Sequence, residues 1–203
     1  MRDKFLIFLT FLIFFSQNIL NANEFIIESS EIKVLNKGNI TKAQNGVKII
    51  SNDGIKITGN ELIYDKIKSV LRVFGNVKID DKKNNILTEG EEFVYNKNEE
   101  RIVSVGKSKS YINNDYFLES TNLVYERNLS EVYSEKKSKI EDSQNNIFFA
   151  DKFKLNLITS TLKAQNLSLF DSSNNQYYLN FALVDLNNNK FLGSDISIDF
   201  EDS

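Results

Sequence analysis

The 203-residue chain contains no cysteine, no histidine, no tryptophan and no proline. Lacking cysteine, it has no disulfide, thiolate zinc site, iron–sulfur cluster or thiol nucleophile. Lacking histidine, it has no Ser–His–Asp arrangement and no imidazole metal cage. Acid–base chemistry falls to Asp, Glu, Lys or Tyr alone, so a non-catalytic protein with no metal and no cofactor is expected. Charge of one sign is also missing: 25 basic residues stand against 28 acidic ones, a net of −3, with no basic excess to draw in nucleic acid. What remains is 41% hydrophobic and 26% charged, the composition of one globular domain and not of a disordered chain.

Arg2 and Lys4 precede an apolar run from Phe5 to Phe15, and Ser16 to Ala22 lead into polar sequence. That order of charged start, apolar middle and small-residue end describes a secretory signal peptide over residues 1–22. A membrane span needs about 20 apolar residues in a row, and Ser16, Gln17 and Asn18 end the run too early. The mature domain is expected over 23–203, as an exported chain. No Cys follows the apolar run, which excludes a lipidated N-terminus.

After Asn23 no stretch carries a helical stripe. Ile55-Lys56-Ile57-Thr58, Val77-Lys78-Ile79, Phe153-Lys154-Leu155-Asn156-Leu157 and Ile196-Ser197-Ile198-Asp199-Phe200 alternate at period two, the pattern of half-buried antiparallel strands. Turns are written in Asn and Asp, as at Asn52-Asp53-Gly54, Lys83-Asn84-Asn85 and Asn113-Asn114-Asp115. Asn tolerates the left-handed backbone of tight hairpins, and the missing proline leaves the amides free to enter ladders. The fold class is all-β.

The strands also repeat. Tyr64-Asp65, Tyr95-Asn96, Tyr125-Glu126, Leu155-Asn156 and Leu186-Asn187 are separated by 31, 30, 30 and 31 residues. Five residues before the first four stand Gly59, Gly90, Ser120 and Ala150, where a small side chain lets a strand kink. Gly75 and Gly106 form a third column, occupied later by Lys136 and Asn166. Each unit reads as a long bent hairpin that buries its apolar face only by stacking on the next.

Gly46-Val47-Lys48-Ile49, Thr58-Gly59-Asn60-Glu61-Leu62-Ile63-Tyr64-Asp65 and Val73-Phe74-Gly75-Asn76-Val77-Lys78-Ile79 resemble the repeat of the OstA-like lipopolysaccharide-transport family, the family of periplasmic LptA and of the N-terminal periplasmic domain of LptD. Thr88 to Asn96 keeps the pattern, and Leu123-Val124-Tyr125-Glu126 keeps its core. The resemblance implies a twisted, open β-jellyroll whose apolar groove shields lipid acyl chains. It implies lipopolysaccharide as the ligand, and other jellyroll domains and the outer-membrane translocon as partners, joined by edge-strand pairing. The segment from Leu192 to Phe200 is similar to the closing strand before the translocon's barrel. A free-standing bridge protein and a piece of a translocon both fit.

The lipid-groove candidates are Ile57, Leu62, Tyr64, Leu71, Val73, Val77, Ile79, Phe93, Tyr95, Leu123, Tyr125, Phe153 and Leu155; read singly, each is also an ordinary core residue. Asp80-Asp81, Glu89 with Glu91 and Glu92, and Glu99-Glu100 read as solvated turns beside lysines rather than as glycosidase or calcium sites. Asp185-Leu186-Asn187-Asn188-Asn189 opens like a calcium loop but lacks its central Gly and closing Glu. Lys33, Lys37 and Lys42 at one end, and Asp195, Asp199, Glu201 and Asp202 at the other, would charge two free sheet edges of opposite sign. Two other functions fit a stacked β repeat: a structural or adhesive scaffold, expected to have a filled interior, and a β-solenoid acting on polysaccharide, expected to carry a charged cleft.

Overall fold

A computed structural model of the chain describes residues 25–173, 175–188 and 190–200; the export signal expected at 1–22, Glu201 and Asp202 lie outside the described residues. The described chain is antiparallel strand and turn with one short 3-10 turn, Asn36–Gly38, and no α-helix, so the all-β expectation holds. The strands are β1 (Phe25–Leu35), β2 (Ile40–Ser51), β3 (Ile55–Gly59), β4 (Glu61–Asp65), β5 (Val70–Asp81) and β6 (Ile86–Asn96). There follow β7 (Arg101–Ser104), β8 (Lys107–Ile112), β9 (Tyr116–Thr121), β10 (Val124–Glu126), β11 (Glu131–Ser134) and β12 (Ser138–Asp142). Last come β13 (Ile147–Ala150), β14 (Lys152–Asn156), β15 (Thr161–Phe170), β16 (Gln176–Asp185), β17 (Lys190–Ser194) and β18 (Ser197–Asp199).

The long strands serve two ladders at once. In β5, residues 70–74 pair with β4 and with 92–96 of β6, whereas residues 78–81 pair with β3 and residues 77–81 with 86–90 of β6. Between the two halves the register slips at Gly75 and Asn76, both in left-handed backbone (φ 74° and 49°). A bulge of this kind bends a strand and sharpens its twist. Repeated along the chain, the bends build two arms joined at a crease. The first arm holds the N-terminal half of β1, the C-terminal halves of β2 and β5, the N-terminal half of β6, then β3, β8, β9, β12, β13 and the adjoining halves of β15 and β16, ending on β18. The second arm takes the other halves with β4, β7, β10, β11 and β14, ending on β17.

The columns read in the sequence fall at the crease. Gly59, Gly90, Ser120 and Ala150 stand on the first-arm side of the crossing into the second arm. There is little room there: a Cβ on Gly59 would lie 2.7 Å from Val73 Cγ1, and one on Gly90 3.0 Å from Phe93 Cε2. At the return crossings Gly106 and Asn166 adopt φ of 87° and 50°, so Asn keeps the left-handed geometry where glycine is gone.

The fifth unit departs from the spacing read in the sequence. Asp185, not Asn187, closes its strand: Asp185 Oδ1 accepts the N–H groups of Asn187 and Asn188, both at 3.1 Å. Asp65, Asn96 and Asn156 make the same turn in earlier units. The matching pair is therefore Val184-Asp185, and Leu179 occupies the small-residue column five places before it. The Asp185 segment is an Asx turn, which accounts for its loop-like sequence.

Alternate residues of both arms point into the space between them. The result is one apolar core running from Phe25 at the first strand to Val184 in β16, bounded by strands paired on one side only: β1 at one end, β17 and β18 at the other.

Candidate functional site: the interior between the arms and its mouth

All the lipid-groove candidates face the interior. Ile57, Leu62, Leu71, Val73, Val77, Ile79, Phe93, Tyr95, Phe153 and Leu155 are 0–4% exposed, and Tyr64, Leu123 and Tyr125 are 4–8% exposed. They come from both arms and join a single cluster. In this state the cluster is a filled core: the side chains of the two arms interdigitate instead of lining an open groove. Near the crease Thr88 pairs with Ser110 at 2.9 Å and Ser120 with Ser138 at 2.8 Å, whereas the Ser108 hydroxyl is buried without a hydrogen-bond partner.

Opposite the crease, the outer ends of the arms meet along a mouth, and its two halves differ chemically. In the N-terminal half the first-arm turns carry Asp53 and Asp81, and the second-arm turns carry Lys97 and Arg127. Arg127 Nε donates to Asp81 Oδ2 at 2.8 Å and its Nη1 to Asp53 Oδ2 at 2.5 Å; Lys97 also donates to Asp53. Tyr125 donates to Asp81 Oδ2 at 3.0 Å, and Tyr95 to Asp53 Oδ2 at 3.4 Å. The Asp81 side chain is 0% exposed and that of Arg127 is 4% exposed. Burial by itself raises both carboxyls, but Lys97, Ser51 and Arg127 around Asp53, and Arg127, Asn84 and Tyr125 around Asp81, outweigh it and hold both below 3.8. Burial, reinforced by the nearby carboxylates, pushes Tyr95 and Tyr125 above 10.0 and keeps them protonated donors.

The sequence reading of Asp80-Asp81 as a solvated turn is thus corrected for Asp81, which is a buried charge held by an arginine 46 residues away. Spacing within one turn carries no sign of so distant a partner. Glu89, Glu91 and Glu92 lie within strand β6 and not in a turn, where Glu89 pairs with Lys78 at 2.9 Å and Glu92 with Arg72 at 2.5 Å across the ladder to β5.

Toward the C-terminal half the contacts between the arms are apolar, while the Tyr177 hydroxyl donates to Asp171 Oδ2 at 3.1 Å within the first arm. Tyr177 of the first arm meets Phe191 of the second, edge to face, with ring centroids 5.8 Å apart. Tyr116, Leu157 and Leu186 are half-buried against the core beside them. No salt bridge between described residues joins the arms there. One sequence column records the change: the residue after each strand-closing position is Lys66, Lys97, Arg127, then Leu157 and Leu186.

The terminal strands expose apolar side chains. On β1 these are Ile26, Ile32, Val34 and Leu35; at the other end they are Phe181, Leu192, Ile196, Ile198 and Phe200. Lys33 is paired with Glu31 at 2.7 Å, and Asp195 accepts from Asn180 at 3.2 Å, so the first named charge at each end is already engaged within its own edge.

No protein-family model matches the chain, and no curated protein matches it in sequence. Among solved structures it is similar to LptH of Pseudomonas aeruginosa, described as the LptA homologous periplasmic component of the lipopolysaccharide transport device, at 12% identity and a TM-score of 0.30, over 70% of this chain and 81% of that one. It is also similar to the TCP10 domain of Danio rerio CPAP, in a point-mutant form, at 11% identity and a TM-score of 0.21, over 85% of this chain and all of that one. Likenesses this distant assign neither a family nor an activity.

Proposed function

We propose that the chain is an exported, non-catalytic scaffold that holds lipid acyl chains between its two arms and passes lipopolysaccharide toward the outer membrane. The observation that carries this reading is the unbroken apolar core from Phe25 to Val184, enclosed by arms covalently joined only along the crease. Each acyl CH₂ removed from water there contributes about 0.8 kcal/mol. The OstA-like motifs at residues 46–112 support the choice of lipid. The one-sided terminal strands support association with other jellyroll domains by strand addition.

A second reading, a structural β repeat, is favoured by the filled interior. Ultraviolet crosslinking in the periplasm separates the two. A photoactivatable residue at Val77, 1% exposed and facing inward, is expected to capture lipopolysaccharide, and one at outward-facing Lys78 is not. Equal or absent capture at both positions favours the structural repeat.

A further inference from the structure

We propose that the mouth is latched at its N-terminal half and opens at its C-terminal half, so that acyl chains enter between the arms past Tyr116, Leu157, Tyr177, Leu186 and Phe191; this rests on the lipid-holding function proposed above. The interior is filled, so a chain can enter only where the arms part. At the N-terminal half, parting breaks the bonds of Arg127 to Asp81 and Asp53. A hydrocarbon sliding in cannot replace them, because it would leave Asp81 buried without a cation. At the C-terminal half, parting separates Tyr177 from Phe191, and CH₂ groups replace that contact in kind. The entering chain therefore meets the smaller barrier where the mouth column reads Leu157 and Leu186, and the larger one where it reads Lys97 and Arg127.

The fixed arm geometry at the clasp gives the opening a direction. With Asp53 and Asp81 tied to the second arm, the hinge is the crease and the separation grows away from Arg127 toward β17 and β18. The half of the core reached first is then the one built from β14, β15 and β16, including Phe153, Leu155, Leu162 and Leu167.

The chain has no cysteine, so thiol chemistry reports only what is introduced. The test uses the mature chain, cis-parinaric acid as a fluorescent acyl probe, and a short reducible bis-thiosulfonate crosslinker. In Tyr177→Cys/Phe191→Cys, crosslinking is expected to weaken probe binding about tenfold or more, with dithiothreitol restoring it. In Phe25→Cys/Tyr64→Cys, whose rings meet across the arms at the other end, crosslinking is expected to leave binding within about twofold of its reduced form. Unchanged binding in the first pair, or equal loss in both, overturns the proposal while leaving lipid binding intact. A wild-type chain that binds no probe overturns the lipid-holding function and this opening with it. Should either pair fail to fold, nitroxides on exposed turns decide instead. The Asn145–Asn188 distance is expected to widen on probe addition while Asn52–Asn98, beside the clasp, stays fixed; the reverse pattern overturns the opening.

Discussion

Arg127 and Asp81 lie 46 residues apart in the chain and join the two arms through a bond of 2.8 Å, with neither side chain more than 4% exposed. Arg127→Met leaves Asp81 an uncompensated buried charge, and about 3–5 kcal/mol of stability is expected to be lost. Arg127→Met with Asp81→Asn removes both charges, so the double variant is expected to be more stable than Arg127→Met alone. Urea melts of the three proteins measure the coupling; strictly additive losses would show that the pair does not act as a unit.

The pH dependence follows from the same groups. Asp53 and Asp81 have folded-state pKa values below 3.8, so their contribution is complete above the unfolded carboxylate range and disappears as pH falls below about 4. Tyr95 and Tyr125 are raised above 10.0, so theirs is complete below that value and is lost as pH rises beyond it. Thermal melts should show a plateau from about pH 5 to 9 with a fall on each side. In Arg127→Met the acid fall should shrink or reverse, because Asp81 without its cation favours the proton. An acid limb identical to wild type would remove Arg127 from the explanation.

Leu179 and Gly193 fit one another. Leu179 stands where earlier units have Gly, Ser or Ala, and a Cβ on Gly193 would lie 2.3 Å from Leu179 Cδ2 and 2.7 Å from the Phe181 carbonyl oxygen. Gly193→Ala is expected to cost about 1–3 kcal/mol through overpacking. Combined with Leu179→Ala, the loss should be smaller than the sum of the two single losses, as calorimetry on the four proteins would record.

End-to-end association is tested at β18. Ile198 pairs with Tyr177 and is the middle residue of that strand. Proline there disrupts the ladder geometry, so Ile198→Pro should abolish association while leaving most of the β signal in circular dichroism. Sedimentation of a wild-type monomer at every concentration, with no binding to a jellyroll partner, would argue against a bridging role.

The strands, the crease and the inward-facing residues were legible because each rests on local chemistry: alternation at Ile55–Thr58, left-handed Asn at turns, small residues at Gly59 and Gly90. The clasp was not, because Asp81 and Arg127 are brought together by arm twist, which no single repeat encodes. Its trace was the column Lys66, Lys97, Arg127, Leu157 and Leu186, visible only once the repeats are in register. The fifth repeat was placed two residues late because Leu186-Asn187 imitates the anchor, while the turn is actually made by the Asp185 carboxylate. A filled interior was equally hidden, since an inward apolar pattern looks the same whether the arms touch or gape.

The central claim is that the space between the arms takes lipid, and Val77 tests it most directly. Val77 is 1% exposed at the middle of the best-preserved repeat. The measurement is a fluorescence titration of purified lipopolysaccharide against residues 23–203 and the Val77→Asp variant of the same span, with circular dichroism confirming that both are folded. Wild type is expected to bind and folded Val77→Asp to lose about tenfold or more in affinity, because a carboxylate on the inner face must be desolvated or protonated. Equal binding by the folded variant, or no binding by wild type, would contradict the account.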